Sequence, residues 1–122
     1  MKFMLIMQMN GDVWDRLTEA ERTAIGEGHA PLLQEMTESG EMLSTHALGD
    51  PSISAVVRVR DGRPVVTDGP YAEAKEYMAG YYLVDVESRE RACELAAKIP
   101  DAGVDGLAVE VRPVMFSAGA GV

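Results

Sequence analysis

The chain predicts an α+β plait: a mainly antiparallel sheet with two helical segments on one face and a β-hairpin inserted between its halves. Three observations carry this. Lys2 to Met9 and Met78 to Val86 are extended apolar runs of strand length. Two stretches, opening at Thr18 and at Ser88, combine a helix cap with apolar residues at helical spacing. Between them, Asp61-Gly62 separates two short valine-rich runs, a strong hairpin signal. The resulting order is β-α-β, hairpin, β-α-β, which fits helices packed on one side of an antiparallel sheet.

Lys2 to Met9 is apolar on both faces, with Phe3, Leu5, Met7 and Met9 pointing one way and Met4 and Ile6 the other. A strand buried on two sides belongs in the middle of its sheet. Asn10-Gly11-Asp12 breaks it. Thr18 and Glu21 form a capping box, each side chain reaching the other's backbone amide. Gly26, Gly28 and Pro31 interrupt the helix that follows, so a kink or two short helices are expected near Ile25 to Ala30. Leu32, Leu33 and Met36 form the apolar face of the second piece, and Gly40 stops it. Met42 to Leu48 and Ser54 to Arg60 read as strands, and Pro64 to Thr67 returns from the hairpin turn. Tyr81 and Tyr82, adjacent in the next strand, point to opposite faces. Ser88 caps a helix that runs to about Ile99, where Pro100 ends it. Leu107 to Met115 is the last strand.

A length of 122 residues fits one domain, assigned to 1–116, with a small-residue tail at 117–122 expected to be flexible. A formal charge of −9 disfavours direct binding to nucleic acid or to anionic lipid. Cys93 is the single cysteine, so no intrachain disulfide forms, and its helical setting reads as a small apolar filler. The apolar run Phe3 to Met7 is too short for a signal-peptide core or a membrane span, which makes the cytoplasm the default location. Two helices cover only one sheet face, yet Met4, Ile6 and Val84 read as a second apolar face. Leaving such a face wet is unfavourable by about 25 cal/mol per Å², so a homodimer packed across the sheets is expected.

The stretch Val66-Thr67-Asp68-Gly69-Pro70-Tyr71-Ala72-Glu73-Ala74-Lys75-Glu76, followed by Gly80-Tyr81-Tyr82-Leu83-Val84 and Glu110-Val111-Arg112-Pro113-Val114, resembles the YCII-related family in its branch named for an Asp-Gly-Pro-Phe (DGPF) motif. Tyr71 stands where that motif has phenylalanine. The resemblance spans Lys2 to about Phe116 and implies a ferredoxin-like fold that dimerises into an α/β barrel. It also implies a His-Asp pair in a pocket. His29, within Gly28-His29-Ala30-Pro31-Leu32-Leu33, matches the family's histidine. The family's aspartate precedes a proline near the end of the second helix; here Ile99 precedes Pro100, and Asp101 follows it. Asp101 is therefore a poor substitute, and Asp68 of the central motif is the better candidate partner. Members encoded beside extracytoplasmic-function sigma factors imply a regulatory or accessory setting.

Imidazole is the side chain that changes charge near neutrality, and the chain has two, His29 and His46. With a carboxylate fixing its tautomer, His29 is a candidate general acid or base. The bland alternative is a helix-start histidine bonded to nearby backbone. Asp68 before Gly69-Pro70 also suits an ordinary turn. His46 is a candidate for the same cavity, and Tyr71, Tyr81 and Tyr82 for its walls and a polar tip. Glu73, Lys75 and Glu76 read as a solvated face. No spacing suits a metal, the eight methionines read as core filling, and no cofactor is expected. These residues fit a homodimer that handles a small organic molecule by cofactor-free proton transfer, as an isomerase or lyase. The alternative is a non-catalytic ligand sensor or accessory module.

Overall fold

In the computed structural model, which describes residues 1–71 and 75–119, the first strand β1 (Lys2–Asn10) lies inside a four-stranded sheet. Its neighbours are β5 (Glu76–Asp85) and β6 (Ala108–Pro113), both antiparallel to it. β2 (Met42–Ala47) pairs antiparallel with the outer side of β5, giving the order β2-β5-β1-β6. The central place expected for β1 is thus observed. β3 (Ala55–Arg60) and β4 (Arg63–Asp68) form a separate two-stranded sheet.

Cross-strand partners share a sheet face, and the register sorts them. Phe3 opposes Val84 and Leu5 opposes Tyr82. These four, with Met7, form one core with Leu32 and Met36 of α3 (His29–Ser39) and Ala92 and Leu95 of α4 (Arg89–Ala97). Val84 therefore belongs to the helix side, which corrects its assignment to the opposite face. That other face is mixed. Ile6 and Leu83 are buried there, but the Gln8 amide donates to Glu110 at 3.0 Å and Arg112 donates to Glu110 at 2.7 Å.

Asn10 does not simply end β1. Its side chain accepts from the amides of Asp12 and Val13 at 3.0 and 3.3 Å and starts the unexpected short helix α1 (Gly11–Arg16). The Thr18 capping box forms, with reciprocal bonds to Glu21 of 3.1 and 2.9 Å, and starts α2 (Glu19–Glu27). The expected interruption falls at Gly28, and Pro31 lies in the first turn of α3. Gly40 ends α3 with φ of 78°, a left-handed position that glycine occupies freely. In the hairpin, Asp61 and Gly62 both have positive φ, 51° and 75°, as a two-residue type I′ turn requires.

Ser88 accepts from the Arg91 amide at 3.0 Å and caps α4. Arg91 then reaches Glu41 at 2.8 Å and Glu35 at 3.2 Å, tying α4 to α3 and to the residue before β2. Its hydrogen bonds hold the Glu41 carboxyl below the ordinary carboxylate range. Cys93, expected as filler, is exposed on α4. Short 3₁₀ turns at Pro51–Ile53 and Pro100–Gly103 complete the described elements. No helix among the described residues is long and apolar enough to cross a membrane. The expectations for Glu73 and for the last three tail residues lie outside the described residues.

Candidate functional site

The junction of α2 and α3 sets the site. A Cβ on Gly28 would fall 2.7 Å from Pro100 Cγ and 3.1 Å from the Ala24 carbonyl oxygen. Glycine therefore lets the helix junction press against the 3₁₀ turn that follows α4. One residue further on each side, His29 meets Asp101: His29 Nε2 lies 3.2 Å from Asp101 Oδ1. His29 Nδ1 lies 2.5 Å from the Tyr82 hydroxyl, and the two rings stack with centroids 5.9 Å apart. Asp101 is 4% exposed and Tyr82 2% exposed, so both hydrogen bonds lie in a largely dry setting.

The protonation pattern follows from these partners. Burial, and then the negative charge of Asp101, push the Tyr82 phenol up to about 12. At neutral pH its hydroxyl is protonated and donates to Nδ1. The Nε2–H of neutral His29 is then left to donate to the Asp101 carboxylate. The opposite tautomer would set a nitrogen lone pair against a carboxylate oxygen. Because the folded-state value exceeds the ordinary value of 10.0, the stability linked to Tyr82 is complete below pH 10 and is lost as pH rises through about 12. The latest phenol ionisation seen by ultraviolet titration should fall near pH 12 and be absent in Tyr82→Phe.

His29, Tyr82 and Asp101 line a cavity of about 410 Å³, whose other walls include Met7, Met9, Trp14, Arg22 and Thr45. Arg22 donates from Nε to the Trp14 carbonyl at 3.0 Å and from Nη2 to the Asp15 carbonyl at 3.1 Å. Its guanidinium carbon sits 5.6 Å from the centroid of the Trp14 ring. Among the described residues no carboxylate makes a salt bridge with it. The cavity thus combines an oriented imidazole, a phenol donor and a cation held by its neighbours. No three His, Cys, Asp or Glu side chains among the described residues gather into a metal-sized cluster.

The expected residues distribute unevenly. His29 is at the centre, but its carboxylate is Asp101, which sequence reasoning had passed over. Asp68 ends β4, opposite Ala55, and is exposed; it is not among the residues around the His29 cavity. His46 is among the lining residues, although its ring leans on Tyr81 at a centroid distance of 5.4 Å. Tyr81 opposes Ile6 on the far side of the sheet, and its neighbour Tyr82 supplies the site's hydroxyl. Tyr71 lies elsewhere, 77% exposed, with Arg58 5.7 Å from its ring centroid. Arg22 and Trp14 were missed as site residues, Asp101 was ranked below Asp68, and Tyr82 was grouped with Tyr71 and Tyr81 as a cavity wall without being singled out. Strand parity was the usable signal for Tyr82, because it shares a face with Leu5 and the helices.

The profile of the YCII-related domain matches residues 1–116. The chain belongs to the YCII-related family. An uncharacterised protein of Rhizobium meliloti (strain 1021) is 34% identical over 77 residues, covering 63% of this chain. The alignment spans 62% of that relative's length. The placement of His29 and Asp101 gives this YCII-related chain a histidine-carboxylate pair, with the carboxylate one position after Pro100.

Proposed function

We propose that this chain is a ferredoxin-like plait of the DGPF branch that works as a homodimer and carries out cofactor-free proton transfer on a small organic acid. The observation that carries the reading is the Tyr82–His29–Asp101 chain of hydrogen bonds facing a cavity that also presents Arg22. Arg22 attracts the substrate carboxylate. The Tyr82 oxygen takes a proton from a carbon next to a carbonyl while its own proton passes to His29 Nδ1. The resulting imidazolium is stabilised through Nε2–H by Asp101. Returning the proton to a different atom completes an isomerisation; losing a leaving group instead completes an elimination. Asp68, His46, Tyr71 and Tyr81 stand outside this relay, with His46 among the residues lining the chamber.

The strand order β2-β5-β1-β6 supports the plait. The hairpin supports the dimer. Ala55, Val57, Val59, Pro64 and Val66 share one of its faces by register, with Asp68 at one end, and Val57 is 62% exposed. A second copy packed against this face and the outer sheet face removes that apolar surface from water. Size-exclusion chromatography at micromolar concentration should give the dimer mass, and a monomer removes this part of the proposal.

Deuterium exchange at C3 of pyruvate and 2-oxobutyrate tests the chemistry. Exchange should exceed the buffer rate and fall by about 10²–10⁴-fold in His29→Ala. Exchange equal to buffer, or unchanged in the variant, defeats the catalytic reading. A ligand sensor is the second reading, favoured by the engagement of both His29 nitrogens within the protein. In that case His29→Ala keeps its ligand and no exchange is seen.

A further inference from the structure

The His29 chamber does not end at Trp14. A smaller concavity of about 210 Å³ shares Met9, Trp14 and Ala79 with it. That concavity in turn shares Leu48, Gly49, Asp50 and Tyr77 with a basin of about 590 Å³ at the foot of the hairpin. The three concavities, joined by these two shared walls, follow one another as a trough-like series along the start of β5. The β1–β5 register helps to open it: Met7 opposes Gly80 while Gln8 opposes Met78, so Ala79 is skipped. A local irregularity of this kind bends a strand and re-aims its side chains.

The trough is polarised. At the chamber end it presents Arg22 and the hydrogen-bonded Tyr82–His29 pair. The basin is walled by Leu48, Pro51, Ile53, Pro70, Tyr71 and Met78. Among the described residues, the charged groups lining the basin are Asp50 and Glu76, both carboxylates. Hydrogen bonds from Ser52 hold the Asp50 carboxyl below its ordinary range, so it is ionised at neutral pH. An acid entering the trough is therefore repelled at the basin end and attracted at the Arg22 end, while an aliphatic arm finds apolar walls along most of its path.

We propose that the ligand of this site is an elongated amphiphilic acid, with its carboxylate and reactive carbon in the His29 chamber and an unbranched apolar tail laid through the trough into the basin between β5 and the hairpin. This rests on the proposed binding of an organic acid beside Arg22, and it adds the substrate class. It accounts for a large apolar basin joined to the site, which a substrate of pyruvate size leaves unused.

Hexanoate and decanoate titrated into protein labelled at methionine methyl groups and at the Trp14 indole test it. Trp14 and Met9 report the chamber side, and Met78 reports the basin. Both acids should shift Trp14 and Met9, and decanoate alone should shift Met78. Affinity should rise by about two- to fourfold for each added methylene. Ile53→Asp should lower decanoate affinity by about tenfold or more; at 80% exposure, Ile53 is a position where the change leaves folding intact. If both acids shift the chamber with equal affinity and Met78 stays still, the trough proposal falls while acid binding at Arg22 stands. If decanoate shifts Met78 without the chamber signals, the basin is a separate site and the proposal is overturned. If neither acid moves the chamber signals, the underlying reading fails as well. Decanoate affinity unchanged in Ile53→Asp also overturns the proposal.

Discussion

Truncating Leu95 to alanine is expected to destabilise the fold by about 2–5 kcal/mol. Leu95 is fully buried, in the core that α4 shares with α3, Phe3, Leu5 and Met7. A domain of ordinary stability has about 5–15 kcal/mol in total, so this one change removes a large share. Its influence extends to the site because α4 leads directly into Pro100 and Asp101. Urea unfolding measured with circular dichroism should show the midpoint falling without a change in slope. Cys93→Ala, on the exposed side of the same helix, should stay within about 0.5 kcal/mol of the parent. A Leu95→Ala loss below about 1 kcal/mol contradicts the packing described for α4.

The second large effect is expected at Asp101. Asp101→Ala removes the acceptor for His29 Nε2–H, at a cost of about 1–3 kcal/mol for the orphaned polar group. Asp101→Asn retains a carbonyl oxygen of the same size at that position and should cost less. The two variants separate structural loss from loss of charge. Long-range ¹⁵N–¹H spectra of His29 should show the proton on Nε2 in the parent and in Asp101→Asn, and a mixture of tautomers in Asp101→Ala. In the proposed reaction both variants lose turnover, because neither has a carboxylate to stabilise the imidazolium. A parent protein with its His29 proton fixed on Nδ1 rejects the hydrogen-bond pattern at the base of the mechanism.

Local chemistry made much of the architecture legible. The two-sided apolar pattern of Lys2 to Met9 identified an interior strand, because only a strand with neighbours on both edges has such surroundings. Thr18, Gly28, Gly40 and Ser88 marked helix limits through backbone groups that must find partners. The turn at Asp61-Gly62 was legible because it needs two positive φ angles. α1 was missed because six residues carry almost no periodic signal, and Asn10 serves as well for a break as for a cap. Val84 was put on the wrong face because alternation within one strand says nothing about its phase relative to another; that comes from the cross-strand register.

The site was half legible for a related reason. His29 stood out because its residue type and its place at a helix break are local facts. Its partner is fixed by a packing event, the approach of Gly28 to Pro100, which turns Asp101 inward. Asp68 was the attractive choice because its motif is conspicuous, yet the hairpin carries it into a separate sheet. Tyr82 and Tyr81 are indistinguishable by composition. The pairing with Leu5 assigns the first to the chamber side and leaves the second on the outer face.

His29 and Asp101 are 72 positions apart along the chain, and everything from α3 to α4 lies within that span. The entropy of closing so long a loop is met only after the intervening strands and helices have docked. A polypeptide still emerging from the ribosome with its last synthesised residue before Pro100 holds an imidazole and a phenol but no carboxylate to complete them. The histidine-carboxylate pair therefore cannot form until synthesis has passed Asp101, and the proposed proton transfer waits on that step.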